Sequence, residues 1–257
     1  MLSKAKIKLI HSLAIKKYRD ETGLFVAEGA KSVLELAQYF TCEMLCAESD
    51  WLTYNNVKAK EVIELKGDEL RRISFLKTPQ GVLAVFRKPY RCGLGAQSPR
   101  AYGTDLSLAL DGIQDPGNLG TIVRIADWFG VRHIFCSEHC ADVFNPKTVQ
   151  ATMGALGRVN VHYVDLAEFI SAEMQQATPV FGAFLDGENI YQQRLPAHGL
   201  IVVGSEGNGI SPAIGKLIKH RLFIPPYPAG EPTSESLNVA VATAIICGEF
   251  RRQLSTD

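Results

Sequence analysis

The sequence is short of several features that would settle its class at once. It has no apolar run long enough for a membrane span. Its opening, MLSKAKIKLIHSLAIKK, scatters lysines where a leader peptide carries an unbroken apolar stretch. Export and membrane insertion are therefore not expected, and the chain reads as cytoplasmic. Neither GxGxxG nor a GK[ST] phosphate loop occurs, which argues against a dinucleotide or nucleoside-triphosphate fold. The six cysteines (Cys42, Cys46, Cys92, Cys136, Cys140 and Cys247) are scattered and read as reduced thiols. His133, Cys136, His139 and Cys140 lie close together, but strand alternation turns His133 and Cys136 to opposite faces. No second pair stands at zinc-ligand spacing, so no metal is expected. Internal repeats and low-complexity tracts are absent too.

Net charge is also missing: 27 basic residues meet 27 acidic ones. That zero hides a division. Residues 1–103 hold 17 Lys and Arg against 11 Asp and Glu, and residues 104–257 hold 10 against 16. Lys4, Lys6, Lys8, Lys16, Lys17 and Arg19 crowd the first twenty positions against one acid, Asp20. A basic N-terminal part of this kind suits a polyanion such as RNA, and these six residues are its candidate contacts. A solvated lysine-rich helix would carry the same charges. Tyr18 and Phe25 beside them are candidates for stacking on bases, although such residues more often belong to a core.

RKPYRCGLGAQSPRAYG, residues 87–103, is rich in Gly, Pro and basic residues without apolar periodicity, and reads as a linker centred on 91–103. Residues 1–90 then form a small α/β domain, with helices expected at roughly 4–18 and 29–40 and strands near 24–27, 43–47 and 81–86. From 104 to 257 strands alternate with helices. The strands are SLALDG, RHIFCS, VNVHYV, PVFGAFL, GLIVVG and RLFIP; the helices include LGTIVRIADWFG, NPKTVQATMGAL, AEFISAEMQQ, SPAIGKLIK and SLNVAVATAIICGEF. This alternation predicts an α/β fold with a mainly parallel sheet covered on both faces.

Ligands of such sheets sit beyond the carboxyl ends of the strands. Three loops there are unusually polar. In DGIQDPGNLGTIVR (111–124), Asp115–Asn118 reads as a turn and Arg124 as a cation one turn into the helix. Arg124 is a candidate for a phosphate or a reacting hydroxyl; pairing with Asp127 is the plainer alternative. GLIVVGSEGNGIS (199–211) carries Gly204, Gly207 and Gly209, a spacing that favours close backbone approach by a ligand, with Glu206 as an acceptor. IPPYPAGEPTSE (224–235) runs into the last helix, where Ser236 is expected as N-cap with Asn238 beside it. Main-chain groups near Ile224 and Leu237 could hold an adenine between apolar walls.

Asn118-x-Gly120-x-x-x-Arg124, VVGSEGNG (202–209) and the segment from Ile224 to Ala242 with its SLNVAVA resemble the three motifs of the SpoU/TrmH family. These are S-adenosylmethionine-dependent RNA 2′-O-ribose methyltransferases of the SPOUT superfamily. FVAEGAKSVLE and TPQGVLAVF are similar to the ribosomal-protein-like substrate-binding domain that many members carry. The resemblance implies a deep C-terminal trefoil knot, a homodimer formed through the C-terminal domain, and RNA as partner. rRNA is preferred, since the family's tRNA guanosine enzymes tend to lack the N-terminal domain. It also implies cofactor contacts at Gly204, Glu206, Ile224, Leu237 and Asn238, and a catalytic set of Arg124, Asn118, Glu206, Ser236 and Asn238. Arg124 would act in the partner subunit's cofactor site. A tRNA substrate, or a catalytically silent RNA-binding protein of the same fold, remains as an alternative.

Overall fold

A computed structural model describes residues 2–89, 105–228, 230–231 and 233–254. The expected linker at 91–103 lies outside them. The chain divides into two compact units: Met1–Tyr90 with Asp142–Arg158, and Arg91–Ala141 with Val159–Asp257.

The first unit opens on two short helices, α1 (Lys4–Ser12) and α2 (Lys16–Thr22), where one helix was expected to residue 18. Ser3 caps α1, and Ile15 is extended, so the helix breaks there and Leu13 drops into the core. Gly23, at φ 66°, closes α2 in the left-handed conformation. β1 (Leu24–Glu28), α3 (Ala30–Leu36), β2 (Cys42–Glu48), α4 (Ser49–Tyr54), β3 (Ala59–Leu65) and β4 (Val82–Arg87) follow. The strands form a four-stranded sheet in the order β1-β4-β2-β3, antiparallel except for β2 with β3.

Sequence reading missed α4 and β3. Only Ile63 and Leu65 of β3 are buried, and Lys60, Glu61 and Glu64 mask the alternation of this edge strand. α6 (Pro146–Thr152) also belongs to this unit, started by Asn145, whose side chain accepts from Lys147 N–H at 2.9 Å. It ends at Thr152 and not at 156, because Met153 and Gly154 turn left-handed. A Cβ on Gly154 would stand 2.5 Å from that of Glu35, so only glycine fits. Phe25 packs against Phe40, Phe86 and Phe144 with ring centres 4.9–5.7 Å apart. It is fully buried, which removes it as a base-stacking candidate.

The second unit is a six-stranded sheet in the order β10-β8-β9-β5-β6-β7, with every neighbouring pair parallel. Its strands are β5 (Leu106–Asp111), β6 (His133–Ser137), β7 (Asn160–Val164), β8 (Val180–Asn189), β9 (Gly199–Gly204) and β10 (His220–Phe223). β5 and β9 are buried at almost every position, as central strands covered on both faces should be. α7 (Leu166–Gln175) and the single turn α8 (Pro212–Gly215) supply Phe169, Ile170 and Ile214 to a core with Ala109, Phe135, Leu200 and Val202. α5 (Pro116–Trp128) and α9 (Val239–Leu254) pack together, tied by Arg251 Nε donating to Phe129 O at 2.8 Å.

Chain order explains where a site must lie. β5, β6 and β7 step outward in one direction, and the chain then returns to build β8, β9 and β10 on the other side. The sheet's switch point is therefore between β5 and β9, where the loops leaving two adjacent parallel strands diverge.

Candidate active site

Each of the three polar loops begins at a strand's carboxyl end. α5 starts earlier than its apolar pattern indicated: Asp115 is its N-cap, accepting from Asn118 N–H at 2.9 Å, and Pro116 is its first residue. The expected DPGN turn is thus a helix start, and it places Asn118 in the first turn beyond β5. The exit itself is held from the end of β6 and the turn after it, since Gly112 N–H donates to Ser137 Oγ at 3.0 Å and Ile113 N–H to Cys140 Sγ at 3.3 Å. Cys140 is pulled down to about 7, chiefly by the Cys136 thiol, with burial opposing and Ser137, Ile113 and Gly112 assisting.

After β9 the chain makes a closed loop. Ser205 and Gly209 exchange both backbone hydrogen bonds, at 3.1 and 2.8 Å, and Gly209 takes φ 64°. A Cβ on Gly204 would lie 2.0–2.1 Å from the backbone of Gly209 and Ile210. The loop folding on itself is therefore sufficient to require this glycine. Glu206 stands on that loop.

The third loop ends on Asn238, and here the expected cap changes. Asn238 Oδ1 accepts from Ala240 and Val241 N–H at 3.0 and 3.3 Å, and its carbonyl takes the Ala242 N–H at 2.9 Å. Asn238, not Ser236, is the N-cap of α9. Ser236 is exposed two residues earlier, and its side chain has no hydrogen-bond partner among the described residues.

Because its oxygen is committed to the cap, Asn238 must point its amide nitrogen outward. Nδ2 donates to Asn118 Oδ1 at 3.1 Å and to Glu206 Oε1. Asn118 Nδ2 donates to the same Glu206 oxygen at 3.0 Å. Three residues separated by 88 and 32 positions thus close a triangle that joins all three loops. Glu206 and Asn238 are exposed and Asn118 is half-buried, and the two amide groups leave the other carboxylate oxygen of Glu206 without a partner among the described residues.

The remaining predicted residues are not drawn into this triangle. Arg124 is exposed on α5 and has no ion-pair partner among the described residues, so the expected alternative of an Asp127 pair is not adopted. Leu237 is 45% exposed, an apolar side chain presented beside the polar triangle, and Ile224 is half-buried. Among the described residues no group of three or more His, Cys, Asp or Glu side chains could hold a metal ion.

The basic N-terminal set divides. Lys4, Lys8, Lys16 and Lys17 are exposed; Lys6 is half-buried and pairs with Glu61. Arg19 leaves the set: it is 1% exposed, donates to Asp142 at 2.6 and 3.0 Å and to Leu13 O at 2.7 Å. A guanidinium so satisfied inside the first unit is not free for a phosphate.

A family model described as the SpoU rRNA methylase family matches residues 105–248. The chain belongs to this family. A second model, an MRM3-like substrate binding domain, matches residues 4–84. Among curated proteins the chain is 29% identical over 249 residues to the Bacillus subtilis 23S rRNA (guanosine(2553)-2′-O)-methyltransferase RlmP, covering 96% of each. Among solved structures it is similar to a TrmH-family protein from Porphyromonas gingivalis, at 43% identity and TM-score 0.86 over 98% of this chain and 99% of that one. It is likewise similar to an AdoMet-bound rRNA methyltransferase from Sinorhizobium meliloti, at 28% identity and TM-score 0.80 over 99% of this chain and 97% of that one. The all-parallel six-stranded sheet and the separate N-terminal α/β unit fit these neighbours.

Three contributors to the site escaped sequence reading. Asp111 ends β5 and accepts the Ser211 N–H at 2.7 Å, and Ser137 with Cys140 holds the β5 exit. Only the position of Asp111 at a strand end, directly before Gly112, could have marked it.

Proposed function

We propose that this protein methylates a ribose 2′-hydroxyl of ribosomal RNA, using S-adenosylmethionine and the residues at the β5, β9 and β10 exits. The observation that supports this reading best is the Asn118–Glu206–Asn238 triangle, which gathers three family motifs at the sheet's switch point. The donor set fits the cofactor. It offers an anionic carboxylate, amide groups, an exposed apolar Leu237 and main-chain groups around Ile224 and Leu237, which suit a cationic, adenine-bearing ligand.

When bound, S-adenosylmethionine supplies a methyl group on a positively charged sulfur. The chain's part is to bring a ribose oxygen in line with that methyl and to favour loss of its proton. Glu206, fixed by two amides, provides negative charge at the cofactor's position. Asn118 and Asn238 keep the loops in one arrangement. The work of the Arg124 guanidinium is to hold the neighbouring phosphate and stabilise the developing alkoxide. The proton leaves to water, which reaches these exposed groups. Ser236 serves as a solvent-facing contact of the same loop.

Two further features belong to this reading. The crossing of the β8–β10 region is taken as a trefoil knot holding the cofactor, and two copies pair through the C-terminal unit so that Arg124 serves the partner's site. Lys4, Lys8, Lys16 and Lys17 contribute to RNA binding by the first unit. Free thiols at the five cysteines among the described residues and an rRNA substrate accord with action in the cytoplasm. The test is Arg124→Ala: S-adenosylmethionine binding by calorimetry stays within about threefold, while methyl transfer falls by about 10²-fold or more. Unchanged transfer would remove Arg124 from the mechanism.

A further inference from the structure

We infer that Asp111 is a positioning residue for this reaction, the point from which both halves of the Asn118–Glu206 contact are set. The inference rests on the role given to Glu206 above. Asp111 is the last residue of β5 and stands in register with Gly204, the last residue of β9. Seven residues further on, the same chain presents Asn118. Its carboxylate oxygen also accepts the Ser211 N–H at 2.7 Å, five residues beyond Glu206.

The loop that carries Glu206 therefore has two feet. One is covalent, through Gly204 and β9; the other is Ser211, fastened to β5 by Asp111. Between the feet the Ser205–Gly209 pair and the Asn208 N–H to Ser205 Oγ bond, at 3.3 Å, keep the loop closed. That closed loop moves as one piece. Ile210 packs into the core beside this foot, but the Asp111 bond is what ties it directionally to β5; without it Glu206 loses its register with Asn118.

A charge-assisted bond from a half-buried carboxylate to a backbone N–H is well suited to this. The Ser211 side chain makes no cap bond to α8, so the polar tie from Ser211 to β5 runs through its N–H and Asp111. Asp111 touches neither methyl nor ribose in this scheme. It acts through Glu206.

The experiment is a double-mutant cycle on the full-length protein, with rRNA from a strain lacking it as acceptor and S-adenosylmethionine as donor. Asp111→Ala is expected to lower kcat/KM by about 30-fold, the scale of a small misplacement in an active site. Asp111→Asn keeps an acceptor for Ser211 and is expected to recover activity to within about threefold of wild type. In a Glu206→Ala background, Asp111→Ala should cost less than about threefold more, because coupled residues are not additive. Equal losses in both backgrounds would overturn the inference and indicate a general effect of Asp111 on the unit. Full activity of Glu206→Ala alone would overturn the site reading and this inference with it. Should Asp111→Ala not fold, Asp111→Glu, which keeps the charge but displaces the oxygen, carries the same cycle with the same two outcomes.

Discussion

The two units use their polar side chains in opposite ways. In the first, charges pair off within the unit. Lys6 meets Glu61, Lys60 and Arg87 share Glu43 at 2.9 and 2.6 Å, Lys88 meets Asp20 at 2.7 Å, and Arg19 is buried against Asp142. The second unit also pairs Arg221 with Asp186 and Arg252 with Glu249, but what joins its strand exits is a set of polar groups paired across loops. Asn118, Glu206 and Asn238 close their triangle, and Asp111 ties Ser211 to β5. A cluster of lysines and arginines therefore measures local sequence composition, whereas polar residues at successive exits of one parallel sheet are brought together by topology. The first kind of signal says little about which side chain is free; the second says which must meet.

The sharpest way to break this contrast is through Arg19. Arg19→Ala leaves the largely covered Asp142 without its cation and is expected to destabilise the first unit by about 3 kcal/mol, read by denaturant unfolding. Lys16→Ala, a neighbour in sequence but exposed, should stay within about 0.5 kcal/mol. Equal costs would mean that the buried pair does not hold the unit together.

Asn238 separates architecture from chemistry in the second unit. Asn238→Asp keeps a cap acceptor but replaces the donated amide by a carboxylate beside Glu206. Stability should hold, while methyl transfer falls by about 10²-fold. Asn238→Ala should lose the cap as well, at about 1 kcal/mol, and Ser236→Ala should leave the melting temperature unchanged. A larger loss of stability from Ser236→Ala than from Asn238→Ala would restore Ser236 as the cap.

A smaller effect comes from the far side of the same sheet. His162 is buried, stacked on Phe135 at 5.1 Å and set 3.2 Å from His133, and burial followed by the His133 charge pushes it down from 6.5 to about 4. Its unfolded form binds the proton more readily, so the stability it confers is full above pH 6.5 and drains away as pH falls toward 4. The loss should be at most about 3 kcal/mol, with His133, also pushed down by burial, acting in the same direction. Melting temperature against pH should be flatter in this window for His162→Phe. An identical slope in the variant would assign the acid sensitivity elsewhere.

How much could be read from the chain follows from the same contrast. The alternation of strands and helices after residue 104, and the three loops, were legible because a parallel sheet imposes one direction on every exit. Asn118, Glu206 and Asn238 were found by motif, yet their mutual contacts depend on strand order, which no local pattern carries. The choice of Asn238 over Ser236 as cap was hidden because both residue types cap helices and they stand two positions apart. Arg19 looked like its lysine neighbours because Asp142 is 123 residues away. β3 was invisible for a different reason: an edge strand with one buried face and several charges lacks the apolar density that periodicity needs.

The central claim is tested most directly by methyl transfer itself. Labelled S-adenosylmethionine would be incubated with the protein and total RNA from a strain lacking it, and the RNA separated into large-subunit rRNA, small-subunit rRNA and tRNA. The expected result is label in one rRNA fraction, at a site resistant to alkaline cleavage, as 2′-O-methylation requires. Label on a base in alkali-sensitive RNA, or no label in any fraction when binding of S-adenosylmethionine is demonstrated, would contradict it.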